Sequence, residues 1–135
     1  MTGTTGPMSG MLGPFAEFLG LELTEASGDR VACTWEARPA LHQPYGIVHG
    51  GVHCSVVETL ASIGAATWLG EDGQVVGVSN TTDFLRATRD GALTSVATPV
   101  HRGRLQQVWD VVTTQGDRVV SRGSVRLQNL AADHV

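Results

Sequence analysis

His49-Gly50-Gly51 runs directly into an apolar segment whose one acid is Glu58. Two glycines at a helix start let backbone N–H groups approach a ligand with no Cβ in the way. The first helical turn also carries unpaired donors and the positive end of the dipole. Together these can stabilise an oxyanion. An ordinary loop-to-helix turn satisfies the same residues. Glu58 lies between Val57 and Thr59, and Ser55 and Ser62 stand three and four residues from it, on one helix face. A carboxylate on a buried helix is costly unless it is hydrogen-bonded or placed at a site. Partial burial would raise its basicity. A glutamate facing solvent between elements fits the pattern equally.

Other constellations are weaker. His49 and His53 precede Glu58, but no H-E-x-x-H is present, so no metal site is expected. There is no G-x-S-x-G elbow, no G-x-G-x-x-G and no Walker motif. His101-Arg102-Gly103-Arg104 reads as a hairpin turn that can grip phosphates, or as a solvated turn. Arg86 and Arg89 have the same two readings. All nine basic residues are arginine, which removes any lysine chemistry. Cys33 and Cys54 form no C-x-x-C pair and read as two buried thiols.

The elements that must position these groups are legible in outline. Residues 1–10 read as a flexible lead, and Met11, Leu12, Phe15, Phe18 and Leu19 as the apolar stripe of a short helix with Pro14 in its first turn. Residues 21–27 and 30–36 alternate as paired strands, and 38–48 is a loop. A long helix is expected over 52–69, apolar around most of its girth and therefore buried. Strand runs follow at 74–84, 92–101, 105–114 and 118–127, separated by glycine-bearing turns, as in an antiparallel meander. In the last run Val119, Val125 and Leu127 share one face, opposite Arg118, Arg122 and Arg126. The tail 131–135 reads as frayed.

A wholly apolar helix among strands implies one sheet curled around it, an α+β architecture in a single domain over 11–130. With 135 residues and a net charge of -4, the chain is no general nucleic-acid binder. No apolar run reaches the ~20 residues needed to cross a bilayer, and no signal peptide is recognisable. A cytoplasmic location follows by default.

The segment from Val48 to Ser62 resembles the hotdog-fold thioesterases related to the phenylacetic-acid-pathway enzyme. The pattern is closest to the branch acting on 4-hydroxybenzoyl-CoA and 1,4-dihydroxy-2-naphthoyl-CoA. The stretches Val75 to Gly91 and Pro99 to Trp109 extend the resemblance, which spans roughly residues 12–130. It implies hydrolysis of an aromatic or medium acyl-CoA, with no cofactor beyond the coenzyme A of the substrate. Gln43 would bond the thioester, His49 would order the loop, and Gly50 would offer its N–H to the carbonyl oxygen. Glu58 would be nucleophile or general base, and Ser62 would position water or the carboxylate. Phe84 and Leu85 would line the pantetheine path. Arg86 and the turn His101, Arg102, Gly103 and Arg104 would hold the nucleotide and phosphates. Loop and acid would come from opposite subunits of a homodimer, with tetramers usual. Glu at position 58 points to the aromatic-acyl branch, while Phe84 stands where some naphthoyl-specific relatives have histidine. Two other functions remain compatible: a non-catalytic acyl-CoA sensor, and an enoyl-CoA hydratase with His42 or His53 as base.

Overall fold

The glycine-punctuated strand runs and the one long apolar segment fold as a six-stranded antiparallel sheet around a single long helix. The structure is a computed structural model and describes residues 9–131. The expected N-terminal lead lies outside the described residues except Ser9 and Gly10, which enter a 3-10 turn. The expected tail likewise lies outside them except Ala131, which ends the last strand.

Helix α1 (Gly13–Leu19) opens with Pro14 in its first turn and ends at Gly20 in the left-handed conformation. Strands β1 (Glu22–Ala26) and β2 (Val31–Glu36) follow. Helix α2 (Gly50–Leu69) is succeeded by β3 (Gly73–Phe84), β4 (Ala92–Arg102), β5 (Gln106–Gln115) and β6 (Arg118–Ala131). The sheet order is β1-β2-β4-β5-β6-β3. This is the hotdog arrangement.

Four expectations change. The meander holds for β4, β5 and β6, but β3 pairs with β6 and β2 takes the place beside β4. β2 already fills the edge of β4, so the strand leaving α2 is delivered to the far edge of the sheet. The strict alternation expected in β6 fails at a bulge opposite Thr113 and Thr114. The extra residue inverts side-chain parity, so Val120 and Ser121 are both buried while Val119 is 39% exposed. In α1, Leu19 and Ala16 are buried but Phe15 and Phe18 are not.

The fourth change concerns α2. At 20 residues with a mean hydropathy of 1.2, it is by length and composition able to cross a bilayer. It is instead the core helix, though only on one side. His53, Val56, Val57, Leu60, Ala61, Gly64 and Ala65 face the sheet. Glu58, Ala66 and Thr67 are exposed. Contact with the sheet is close at Gly64, where an added Cβ would lie 2.5 Å from the Trp109 ring. Buried Gln107 pins this junction. Its amide donates to the Ala65 carbonyl (3.1 Å) and Asn129 (2.9 Å), and its carbonyl accepts from the Trp109 indole (2.9 Å).

Candidate active site

The turn before α2 is built by backbone closure. Gln43 N–H donates to Ile47 O (2.8 Å) and Gly46 N–H to Gln43 O (2.9 Å), with Gly46 at φ 80. The Gln43 side-chain oxygen accepts from the Tyr45 N–H. Val48 and His49 tie the turn to Thr88 and Leu41 through backbone bonds of 2.8 and 2.9 Å. His49 then caps α2, its Nδ1 accepting the Gly51 N–H at 2.7 Å. Among the described residues the Gly50 N–H meets no acceptor, and it stands at the positive end of α2. Phe84 covers Gly50: an added Cβ would come within 2.7 Å of the ring. Gln43, Gly50, His53, Phe84, Leu85 and Arg86 line one cavity of about 340 Å³.

Glu58 occupies a different place. It is exposed in a single chain, so the burial expected to raise its basicity is absent there. Its orientation is nevertheless set. Asn80 Nδ2 donates to Glu58 Oε1 at 3.3 Å and to the Cys54 carbonyl at 3.0 Å. The Asn80 oxygen accepts from Thr82 Oγ1 at 2.7 Å. Gly77 in β3 leaves room for the carboxylate, since a Cβ there would lie 3.3 Å from Oε2. Glu58 lines a cavity of about 220 Å³ with Phe15, Ser55 and Asn80, and a larger groove with Ser62.

Asn80, Gly77 and Phe15 were missed in the sequence. Asparagine is disfavoured within strands, so Asn80 in a run of strand residues was a usable signal. Phe15 gave none, because its stripe read as core.

One chain does not bring turn and acid together. Gly50 and Glu58 are eight residues apart on one helix, about 12 Å along the axis. They line separate cavities. Ser55 does not serve the carboxylate, because its hydroxyl donates to the Gly51 carbonyl (2.7 Å).

The hairpin also divides. Gly103 N–H closes the turn onto Gln106 O (2.9 Å), and Asn129 donates to the Gly103 and Arg104 carbonyls. Arg102 bonds Gly28 O (2.6 Å) and Asp29 (2.9 Å) over the Trp68 ring, and its side chain stays 30% exposed. The Arg102 guanidinium is thus already engaged at the surface by Asp29 and the Gly28 carbonyl. Of the other side chains expected to grip phosphate, His101, Arg104 and Arg86 are exposed.

Neither histidine offered as a hydratase base is placed for it. His42 Nε2 bonds the Arg89 carbonyl (2.7 Å). His53 is 3% exposed, edge-on to Trp35 at 5.7 Å, and desolvation pushes its pKa down to about 4. Burial pushes the Cys33 thiol up to about 12, which leaves it unreactive. Among the described residues no group of three or more His, Cys, Asp or Glu could hold a metal.

Comparison with known proteins gives this geometry a setting. Residues 45–122 match the family model described as Thioesterase superfamily. Mycobacterium tuberculosis (strain ATCC 25618 / H37Rv) protein Rv1847 is 50% identical over 123 residues, 88% of each chain. Its solved structure superposes with a TM-score of 0.86 over 88% of this chain and 98% of that one. The crystal structure of S. sahachiroi AziG is 55% identical with a TM-score of 0.87, covering 89% of this chain and 98% of that one. A 1,4-dihydroxy-2-naphthoyl-CoA hydrolase of Listeria monocytogenes is 33% identical over 73% of this chain and 80% of its own.

Proposed function

Since the chain belongs to the Thioesterase superfamily and is a thioester hydrolase, we propose that it cleaves acyl-CoA at a site shared by two copies. Glu58 of one copy faces the turn His49-Gly50-Gly51 of the other. The observation that carries this reading is the separation of the two cavities. Gly50 offers a free donor in one, and Asn80 steadies Glu58 in another. Each half is built, and neither is complete alone.

The carbonyl oxygen accepts the Gly50 N–H at the helix N-terminus, which stabilises charge developing on it. Glu58 then removes a proton from attacking water, or attacks to form a mixed anhydride that water opens. Either route releases the free acid and the CoA thiol and consumes only water. Ser62, in the groove with Glu58, holds that water or the carboxylate. Gln43 and His49 keep the turn in shape. Phe84 and Leu85 flank the pantetheine, while Arg86, His101 and Arg104 meet the phosphates. A homodimer is the smallest active unit, and its setting is the cytoplasm.

Release of CoA thiol, followed with a thiol-reactive dye, tests the proposal. Glu58→Gln is expected to lower kcat by several orders of magnitude in a correctly folded protein. Undiminished turnover in that variant would sink the assignment. One turnover in heavy-oxygen water separates the two routes, because label entering the Glu58 carboxylate requires the anhydride.

A further inference from the structure

Polar side chains in this core are paired with few exceptions, and the exceptions gather near Gly50. Trp35 Nε1 donates to Ser95 Oγ (3.0 Å), which bonds Thr113 Oγ1 (2.7 Å). Among the described residues, the buried side-chain atoms without a hydrogen-bond partner are His53 Nδ1, Thr88 Oγ1 and Ser121 Oγ. Ser121 is the register partner of Phe84, and Thr88 follows Ala87 in the chain. His53, Phe84 and Ala87 all line the cavity of about 340 Å³ that holds Gly50. A buried polar atom left unpaired is costly, and in most folded cores it has a partner.

His53 is the one of the three residues that itself lines the cavity. It follows Gly50 by three residues, about 4.5 Å along the axis of α2 and on the same face. Helical side chains lean toward the N-terminus, which carries the imidazole back toward the Gly50 turn. The ring is held from two sides. Trp35 stands edge-on to it at 5.7 Å, and Phe84 is tilted against it at 6.0 Å. Trp35 cannot be its partner, because the indole N–H is taken by Ser95. Phe84 also covers Gly50. One aromatic ring thus lies against both the free Gly50 N–H and the unpaired imidazole, and a group that displaces it meets both.

We propose that His53 donates a second hydrogen bond to the thioester carbonyl oxygen, beside the Gly50 N–H, once the Phe84 ring has moved off the pair. The inference rests on the proposed role of Gly50. On that path the pantetheine amides lie toward Leu85 and Arg86, which leaves the thioester oxygen as the acceptor near the ring. Charge grows on this oxygen as the carbonyl carbon is attacked, so a fixed donor there contributes most in the transition state. No proton changes hands at His53. Glu58 of the second copy remains the group that attacks or activates water. Burial favours the neutral imidazole, whose pKa stands at about 4, so the ring offers an N–H without a net charge.

The test follows thiol release from benzoyl-CoA and octanoyl-CoA by the full chain. His53→Leu removes the donor and keeps an apolar side chain. It is expected to lower kcat about a hundredfold, as loss of one oxyanion donor does. KM is expected to stay nearly unchanged, the mark of an interaction made in the transition state. His53→Asn returns an amide N–H close to the Nδ1 position and is expected to restore kcat on the order of tenfold over the leucine variant. A spectroscopic reading accompanies the rates. In Glu58→Gln protein, which holds the ester unreacted, the infrared carbonyl stretch of bound benzoyl-CoA is expected to lie below its value in water. Adding His53→Leu is expected to remove part of that fall, and adding His53→Asn to keep it. Histidine labelled with nitrogen-15 in Glu58→Gln protein gives a reading that needs no change at position 53: benzoyl-CoA is expected to shift the His53 Nδ1 resonance. Wild-type kcat in a folded His53→Leu overturns the inference. So do equal losses in both variants with an unmoved carbonyl stretch, the result for a ring that only fills the core, or an unshifted Nδ1 resonance. Each of these leaves the hydrolase intact. Absence of thiol release by wild type from both esters overturns the proposed activity, and the role of His53 with it.

Discussion

Glu58 is steady without being buried. A single amide, Asn80, bridges the carboxylate to the Cys54 carbonyl and is itself fixed by Thr82. Misplacing a catalytic group by about 1 Å can cost about a hundredfold. Asn80→Ala is therefore expected to lower kcat roughly tenfold to a hundredfold while leaving KM nearly unchanged, as steady-state thiol release will show. His53 supports a prediction of another kind. Its folded pKa, about 4, lies below the ordinary 6.5 because burial disfavours the charged ring. The unfolded chain therefore binds more protons between those values. Stability is fully present above pH 6.5 and is lost as pH falls toward 4, by at most about 3 kcal/mol. Thermal melts of wild type and His53→Phe across that window are expected to differ in slope, with the variant flatter. At this scale residue types and spacing made Glu58, Gly50 and His49 candidates, and the family resemblance singled them out. The sequence hid Asn80, Gly77 and Phe15, whose meaning comes from a strand and a helix folding onto the acid's face.

The elements were legible where period alone decides them. Helix α2 and all six strands stand close to where apolar spacing and glycine turns place them. Strand order was not, because β3 could pair with β4 or β6 by pattern, and the crossing of α2 decides it. The half-exposure of α2 was hidden for a similar reason. An apolar residue reads alike whether a sheet of its own chain covers it or not. Where the sheet does cover α2, the fit is tight, and Gly64 marks the closest approach to Trp109. The indole cannot retreat, since Gln107 holds its nitrogen at 2.9 Å. Gly64→Ala gains about 1 kcal/mol of helix propensity and pays up to about 3 kcal/mol in overpacking. Net destabilisation is expected, visible as a lower denaturant midpoint with an unchanged slope.

At the scale of the whole molecule, β3 is an edge strand of twelve residues with Val76 and Val78 41% and 51% exposed. Long exposed edges invite pairing with another chain. The open side of α2 lies beside it, so one association would cover both and join the two half-sites. Subunit exchange tests this. Glu58→Gln and a turn variant, Gln43→Ala with Gly50→Val, are each expected to be nearly inactive. Mixed in equal amounts, they are expected to recover about one quarter of wild-type activity, because half the dimers pair unlike chains and each such dimer has one intact site. Sites complete within single chains would give no recovery.

Burial also sorts the three tryptophans. Trp35 and Trp109 are 2% and 0% exposed, while Trp68 is 40% exposed beneath the Arg102 guanidinium. A dissolved quencher therefore reaches one indole and spares two. The contacts that engage Arg102 thus leave an optical gauge on the back of the hairpin. If coenzyme A is held by His101, Arg104 and Arg86 alone, saturating it leaves the iodide quenching of Trp68 unchanged. Any recruitment of Arg102 announces itself as a more accessible emitter.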